Sequence, residues 1–180
     1  VSSAPSIDNE LVISAPGGSG DVHKVIAVPG KGWYIVGTVK TAGQKGWVIH
    51  VDENFQLAWD KFYEPPMSTD SQLFDIAWID GKLLCVGATS IAGTRFPWYL
   101  RLDENGMEDL NFYDTAYKGL GWTRVVYDGT GLVLAGIQQL EDSANTVVRI
   151  QRFFVTGGPS WDRSISYGDS QQAFGLITSS

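Results

Sequence analysis

Three stretches of this chain repeat one another at a period of about fifty residues. The first runs from Gly32 to Glu64, the second from Gly81 to Asp114, and the third from Thr130 to Ser166. Glycine sets the register: Gly37, Gly87 and Gly136 each follow an apolar run, WYIV, LLCV and LVLA, at spacings of 50 and 49. Trp47 and Trp98 open the next runs, WVIHV and WYLRL, and the third repeat offers VVRIQ in their place. Trp59, Leu110 and Trp161 then recur at a spacing of 51. A self-similar period of this length constrains architecture more than any single residue. Each repeat is one supersecondary unit that buries its apolar face only against its neighbours.

The pattern within a repeat predicts four strands. Strand A precedes a turn: HKVIAV before PGKG, LFDIAWI before Asp80-Gly81, WTRVVY before Asp128-Gly129. Strand B ends at the marker glycine. Strand C is WVIHV, WYLRL or VVRIQ, and strand D is QLAWDKF, MEDLNFY or SWDRSIS. Asp-Gly pairs favour positive φ and so tight A–B hairpins. Asp103-Glu104-Asn105-Gly106 suits a C–D hairpin, with Asp52-Glu53-Asn54-Phe55 as its looser copy. Polar and apolar residues partly alternate with period two, and no stretch carries a helical period. The expected fold is all-β: three four-stranded blades of about fifty residues over 21–64, 71–114 and 119–166.

Composition fits that class and limits the partners. The chain has 180 residues, 43% of them hydrophobic, with 21 glycines and 7 tryptophans, which is a folded composition rich in turns. A formal charge of −7 argues against nucleic acid or an anionic membrane surface as the main partner. The single cysteine, Cys85, lies in an apolar run and reads as a small buried hydrophobe. No run of about eighteen apolar residues marks a membrane-spanning helix, so membrane insertion is not expected. The first residue is Val1, which reads as a processed or partial chain.

Four short strands repeating every forty to fifty residues are the sequence sign of β-propeller blades. The residues that carry the motif are Asp80, Gly81, Gly87, Arg101, Leu102, Asp103, Asn105, Gly106 and Asp109 in the second repeat. In the first they are Gly32, Gly37, Trp47, Asp52, Asn54, Trp59 and Tyr63. This pattern resembles the delta-60-type repeats of bacterial secreted and surface proteins. The third repeat departs from it, with Gln151 in place of the aspartate and a longer C–D turn from Arg152 to Pro159. The resemblance implies a propeller blade and a location that is extracellular, periplasmic or on the cell surface. It implies no chemistry, because these are turn and core positions.

The ends break the phase. Residues 8–18 match strand D of a preceding blade, and 170–178 match strand A of a following one. Three blades are fewer than the roughly four to eight of closed rings, so the expected ring is incomplete. Either the chain is part of a longer propeller, or another chain supplies blades, or it pairs with itself.

Few residues point to chemistry. His23 and His50 sit on different repeats with no second ligand at zinc spacing. Asp103-Glu104-Asn105-Gly106 lacks the later acid of a calcium loop and reads as a turn. There is no G-x-S-x-G elbow, and Gly17-Gly18-Ser19-Gly20 reads as a loop, not a phosphate cradle. No catalytic residue, cofactor site or metal site is nominated. Asp75 and Arg124 fall at equivalent strand-A positions, where the first repeat is expected to offer Val25. They suggest a salt bridge along a channel wall, or a ligand-binding pair at its mouth. The B–C connections (Lys40 to Gly46, Ser90 to Pro97, Gln138 to Thr146) and the D–A connections look long and dissimilar. Recognition concentrates on such loops when a rigid scaffold holds them. Their non-repeating residues are Arg95, Phe96, Tyr117, Lys118, Trp122, Glu141 and Asp142, with core packing the competing role for Phe96 and Trp122. The expected function is a non-catalytic binding or scaffold module. It would contact a protein or glycan through the long-loop face and dock other blades or chains at its ends. The alternatives are a propeller enzyme of glycosidase or lyase type, with Asp21 and Asp75 as the candidate acids, and a purely structural domain.

Overall fold

The computed structural model describes residues 10–15, 18–140, 145–154 and 159–166. They form twelve strands and no helix. Strands β1 (Ser19–Val28), β2 (Gly32–Lys40), β3 (Gln44–Val51) and β4 (Leu57–Tyr63) make a first antiparallel meander. A second contains β5 (Asp70–Ile79), β6 (Lys82–Ile91), β7 (Thr94–Leu102) and β8 (Glu108–Tyr113). The third contains β9 (Leu120–Tyr127), β10 (Gly131–Gln139), β11 (Thr146–Phe154) and β12 (Pro159–Ile165). A single parallel pair, Gln44 with Asp70, joins the first two meanders into one eight-stranded sheet, and the third stands as a sheet of four. Both sheets are open.

Turn chemistry closes each meander. Asp80 and Gly81 take φ of +49° and +79°, the paired positive values of a tight hairpin. In the C–D turns, Asp103 Oδ1 accepts the N–H groups of Asn105 and Met107 at 2.9 and 2.8 Å, and Asp52 does the same for Asn54 and Gln56. These carboxylates therefore act as turn acceptors. At the left-handed position Gly106 holds φ +72°, while its counterpart Phe55 holds +58°, a strained value for a side chain of that size. Phe55 stacks on Trp33 with ring centroids 4.3 Å apart, a contact glycine could not make.

The meanders stack face to face. Every principal contact between units runs through β5 or β9, the first strand of the later unit. Alternation along the strands splits the core accordingly. On β6, Leu83 and Cys85 face the first unit, and Leu84 and Val86 face the third. On β7, Trp98, Leu100 and Leu102 face the first unit, and Tyr99 faces the third. The first junction is filled by Tyr34, Val36, Val48 and Tyr63 against this face, with Trp59 and Trp78 packed alongside. The second is filled by Leu120, Trp122, Val125 and Leu134. Burial of each large apolar side chain stabilises by about 1.5–3 kcal/mol before conformational entropy is set against it.

The marker glycines have a structural cause. Each first strand carries a β-bulge at the same place, between Val22 and Lys24, Leu73 and Asp75, and Trp122 and Arg124. Just before each bulge a carbonyl crosses the glycine on the neighbouring strand. A Cβ on Gly37 would collide with the Asp21 oxygen, one on Gly87 with the Gln72 oxygen, and one on Gly136 with the Gly121 oxygen at 2.5 Å. Glycine is needed because backbone occupies the space of the side chain.

Several expectations change. The strand expected over 8–18 is not formed within residues 10–15. Instead, Ile13 and Ala15 pack against Val39, Trp47, Ile49 and Val51 on the outer face of the first unit. Residues 170–178 lie outside the described residues. The second B–C connection is no long loop: Ala92 and Gly93 close β6 onto β7 with φ of +49° and +79°. The ladder also moves the third register by two residues. Gly37 pairs with Trp47, Gly87 with Trp98, and Gly136 with Arg149, so Arg149 takes the tryptophan's place. It keeps the tryptophan's bond as well. Trp47 Nε1 donates to Asp60 at 3.1 Å, Trp98 Nε1 to Asn111 at 2.8 Å, and Arg149 Nε to Asp162 at 3.1 Å.

Candidate binding surfaces

The bulges place one residue of each first strand, three in all, at matching levels. The same register corrects the first repeat's counterpart of Asp75 and Arg124: it is Lys24, one residue before Val25, because all three lie opposite the residue preceding the marker glycine. A positive, a negative and a positive side chain thus follow one another across β1, β5 and β9. Asp75 is 2% exposed. Its Oδ1 accepts the N–H of Ile76 and its Oδ2 the N–H of Val125, both at 2.9 Å. The second bond crosses from one unit to the next. Lys24 Nζ lies 3.9 Å from Oδ1. Burial pushes the Asp75 carboxyl above its ordinary range, opposed by the two N–H donors and by the charges of Lys24 and Arg124. The Arg124 guanidinium donates to the Thr123 carbonyl at 2.5 Å.

The residues that bulge out are His23, Phe74 and Thr123. His23 and Phe74 are in contact, with ring centroids 5.3 Å apart, and the guanidinium of the exposed Arg95 lies 5.9 Å from the Phe74 ring. This row of imidazole, phenyl and guanidinium groups combines flat apolar area with donors, the chemistry of recognition surfaces. Desolvation lowers the His23 pKa, opposed by Asp21 and reinforced by Arg124. His23 also lies 3.3 Å from the Thr38 hydroxyl. In the sequence His23 stands out only as a possible zinc ligand and Phe74 not at all, because a bulge residue breaks the period of its strand.

The nominated face separates into parts. Arg95 sits on β7, where its carbonyl accepts the Gly119 N–H at 2.8 Å. Phe96 is buried and packs on Tyr113. Trp122 is 0% exposed and belongs to the second junction. Tyr117 lies beneath the Arg149 guanidinium at 4.3 Å. Lys118 is exposed and its carbonyl accepts from Gln138. Glu141 and Asp142 lie outside the described residues. Among the described residues no group of three or more His, Cys, Asp or Glu side chains is placed to hold a metal ion, and no helix is long and apolar enough to cross a membrane.

No protein-family model matches the chain, and no curated protein matches it.

Proposed function

We propose that this chain is a non-catalytic binding or scaffold module built of propeller-like blades, acting in a secreted or surface assembly. The observation that carries the reading is the stacking of three like meanders through their first strands. That arrangement leaves a further sheet face at each end of the stack. The outer face of the third unit carries Val133, Ile137 and Ile150, with Trp161 and Ile165 each 40% exposed. The outer face of the first unit is covered in part by residues 11–15, with a cavity of about 530 Å³ beneath them. Faces of this kind suit further blades, from this chain's own kind or another. The resemblance to delta-60-type repeats points the same way. The His23–Phe74–Arg95 row is the surface for a protein or glycan partner. Binding is favoured over hydrolysis because Asp75, one of the two candidate acids of the enzyme alternative, already accepts two backbone N–H groups, whereas glycoside hydrolysis needs a matched and accessible acid pair.

The test is sedimentation velocity of the purified chain over a hundredfold concentration range. Reversible self-association, weakened by Trp161→Glu, is the expected result. A monodisperse monomer that melts cooperatively at every concentration would overturn the docking role.

A further inference from the structure

The two junctions between units are built on the same plan but filled differently. At the first, Tyr34 stacks on His50 and Trp78 at 4.2 and 5.6 Å, and Trp59 closes on Tyr34 and His50 at 6.1 and 5.6 Å. Trp59 Nε1 donates to the Glu104 carbonyl at 3.0 Å, and Tyr63 donates its hydroxyl proton to the Gly106 carbonyl at 2.8 Å. The ladders identify the counterparts at the second junction: Leu84 for Tyr34, Arg101 for His50, Leu110 for Trp59 and Asp114 for Tyr63. An indole and two phenols are gone. Tyr99, which replaces Val48, fills a different part of the gap, with its ring directed at Trp122 and Phe153.

A cleft of about 460 Å³ remains at this place, within the roughly 300–1,000 Å³ of small-molecule sites. Its floor is Leu84, Leu132, Leu134 and Phe153, with Leu110 and Phe112 at the mouth, 39% and 48% exposed. Water gains little in an apolar cavity of this kind, whereas aromatic molecules fill one readily. The rim is polar. Asp80 and Asp114 supply its two carboxylates, and its two cations, Lys82 and Arg101, are both paired with Asp109, which stands outside the lining.

We propose that this cleft binds a planar aromatic group bearing an N–H or ammonium donor. The ring replaces the missing Trp59 and Tyr34 counterparts, and the donor meets the rim carboxylates. The site is distinct from the His23–Phe74–Arg95 surface, so its failure leaves the binding-module reading untouched.

Tryptamine and indole-3-acetate are the probes, measured by isothermal titration and ligand-observed NMR on the whole chain. They share a ring and differ in charge. Tryptamine is expected to bind about tenfold more tightly than indole-3-acetate. Leu110→Trp, which rebuilds the first junction's filling at a half-exposed position, is expected to weaken tryptamine at least about tenfold and to raise the melting temperature. Leu110→Phe serves as the milder variant should the indole disturb folding. Absence of tryptamine binding at millimolar concentration overturns the proposal. So does tighter binding of the anionic probe, or unchanged affinity in a folded Leu110 variant.

Discussion

Removal of the Asp75 side chain tests how neighbouring units are joined. In Asp75→Ala the N–H groups of Ile76 and Val125 lose their acceptor in a buried place. Each unsatisfied buried donor costs about 1–3 kcal/mol. The Lys24 contact adds little, because its ammonium is half exposed and 3.9 Å away. Set against these losses is relief from burying a carboxylate, whose raised pKa shows that the fold disfavours its ionised form. The net expectation at pH 7 is a loss of about 2–4 kcal/mol, or a melting-temperature fall of roughly 4–16 °C for a chain of this size. Urea denaturation followed by circular dichroism, at one fixed protein concentration, reads the difference. Asp75→Asn keeps one acceptor and turns a donor toward the other N–H, so a smaller loss of about 1–3 kcal/mol is expected. The pH dependence supplies a second check. A carboxyl raised above its ordinary value of 3.8 holds its proton more tightly in the folded chain. Its contribution is fully present below that value and declines as pH rises through the raised one. The gap between wild type and Asp75→Asn should therefore narrow from acid toward neutral pH. A natively folded Asp75→Ala within about 0.5 kcal/mol of wild type, or a gap that widens with pH, would refute the reasoning.

Two further outcomes follow from backbone and core. Gly87→Ala forces a Cβ into the Gln72 carbonyl, whereas Gly129→Ala meets only the strain of φ +90° in open space. The first should cost about 3 kcal/mol or more and the second about 1 kcal/mol, read by the same urea titrations; equal costs would remove the bulge as the cause of the marker glycine. Cys85 is 0% exposed and burial pushes its thiol pKa well up, so it should resist a thiol-reactive chromogen until denaturant is added. Rapid modification of the native chain would place it outside the core.

The repeat and its all-β reading were legible because alternation and turn residues act locally. An apolar residue every second position and Asp80-Gly81 at a hairpin need no knowledge of neighbours. The site was less legible. Arg95 and Phe96 looked like loop residues, since TSIAGTRF carries glycine and polar side chains, yet Ala92 accepts a positive φ and the strands run on to meet it. Trp122 looked like a candidate contact because it begins a strand after a loop, but the stacking of the second and third units buries it completely. His23 drew notice only as a possible zinc ligand and Phe74 none, because each is an inserted residue that falls out of phase with its strand.

The amino-acid pattern alone determined that there are three units, four strands in each, and tight turns at the aspartates and glycines. Those properties arise from side-chain polarity and backbone preference over a few residues. Only the tertiary structure decided why Gly37, Gly87 and Gly136 are glycine, why Arg149 stands for a tryptophan, and which junction is filled and which is open. Each of these depends on what lies across the sheet or on the next one. A carbonyl from a bulged strand, a carboxylate thirteen residues on, and an indole replaced by Leu110 become neighbours only when the strands pair and the sheets stack.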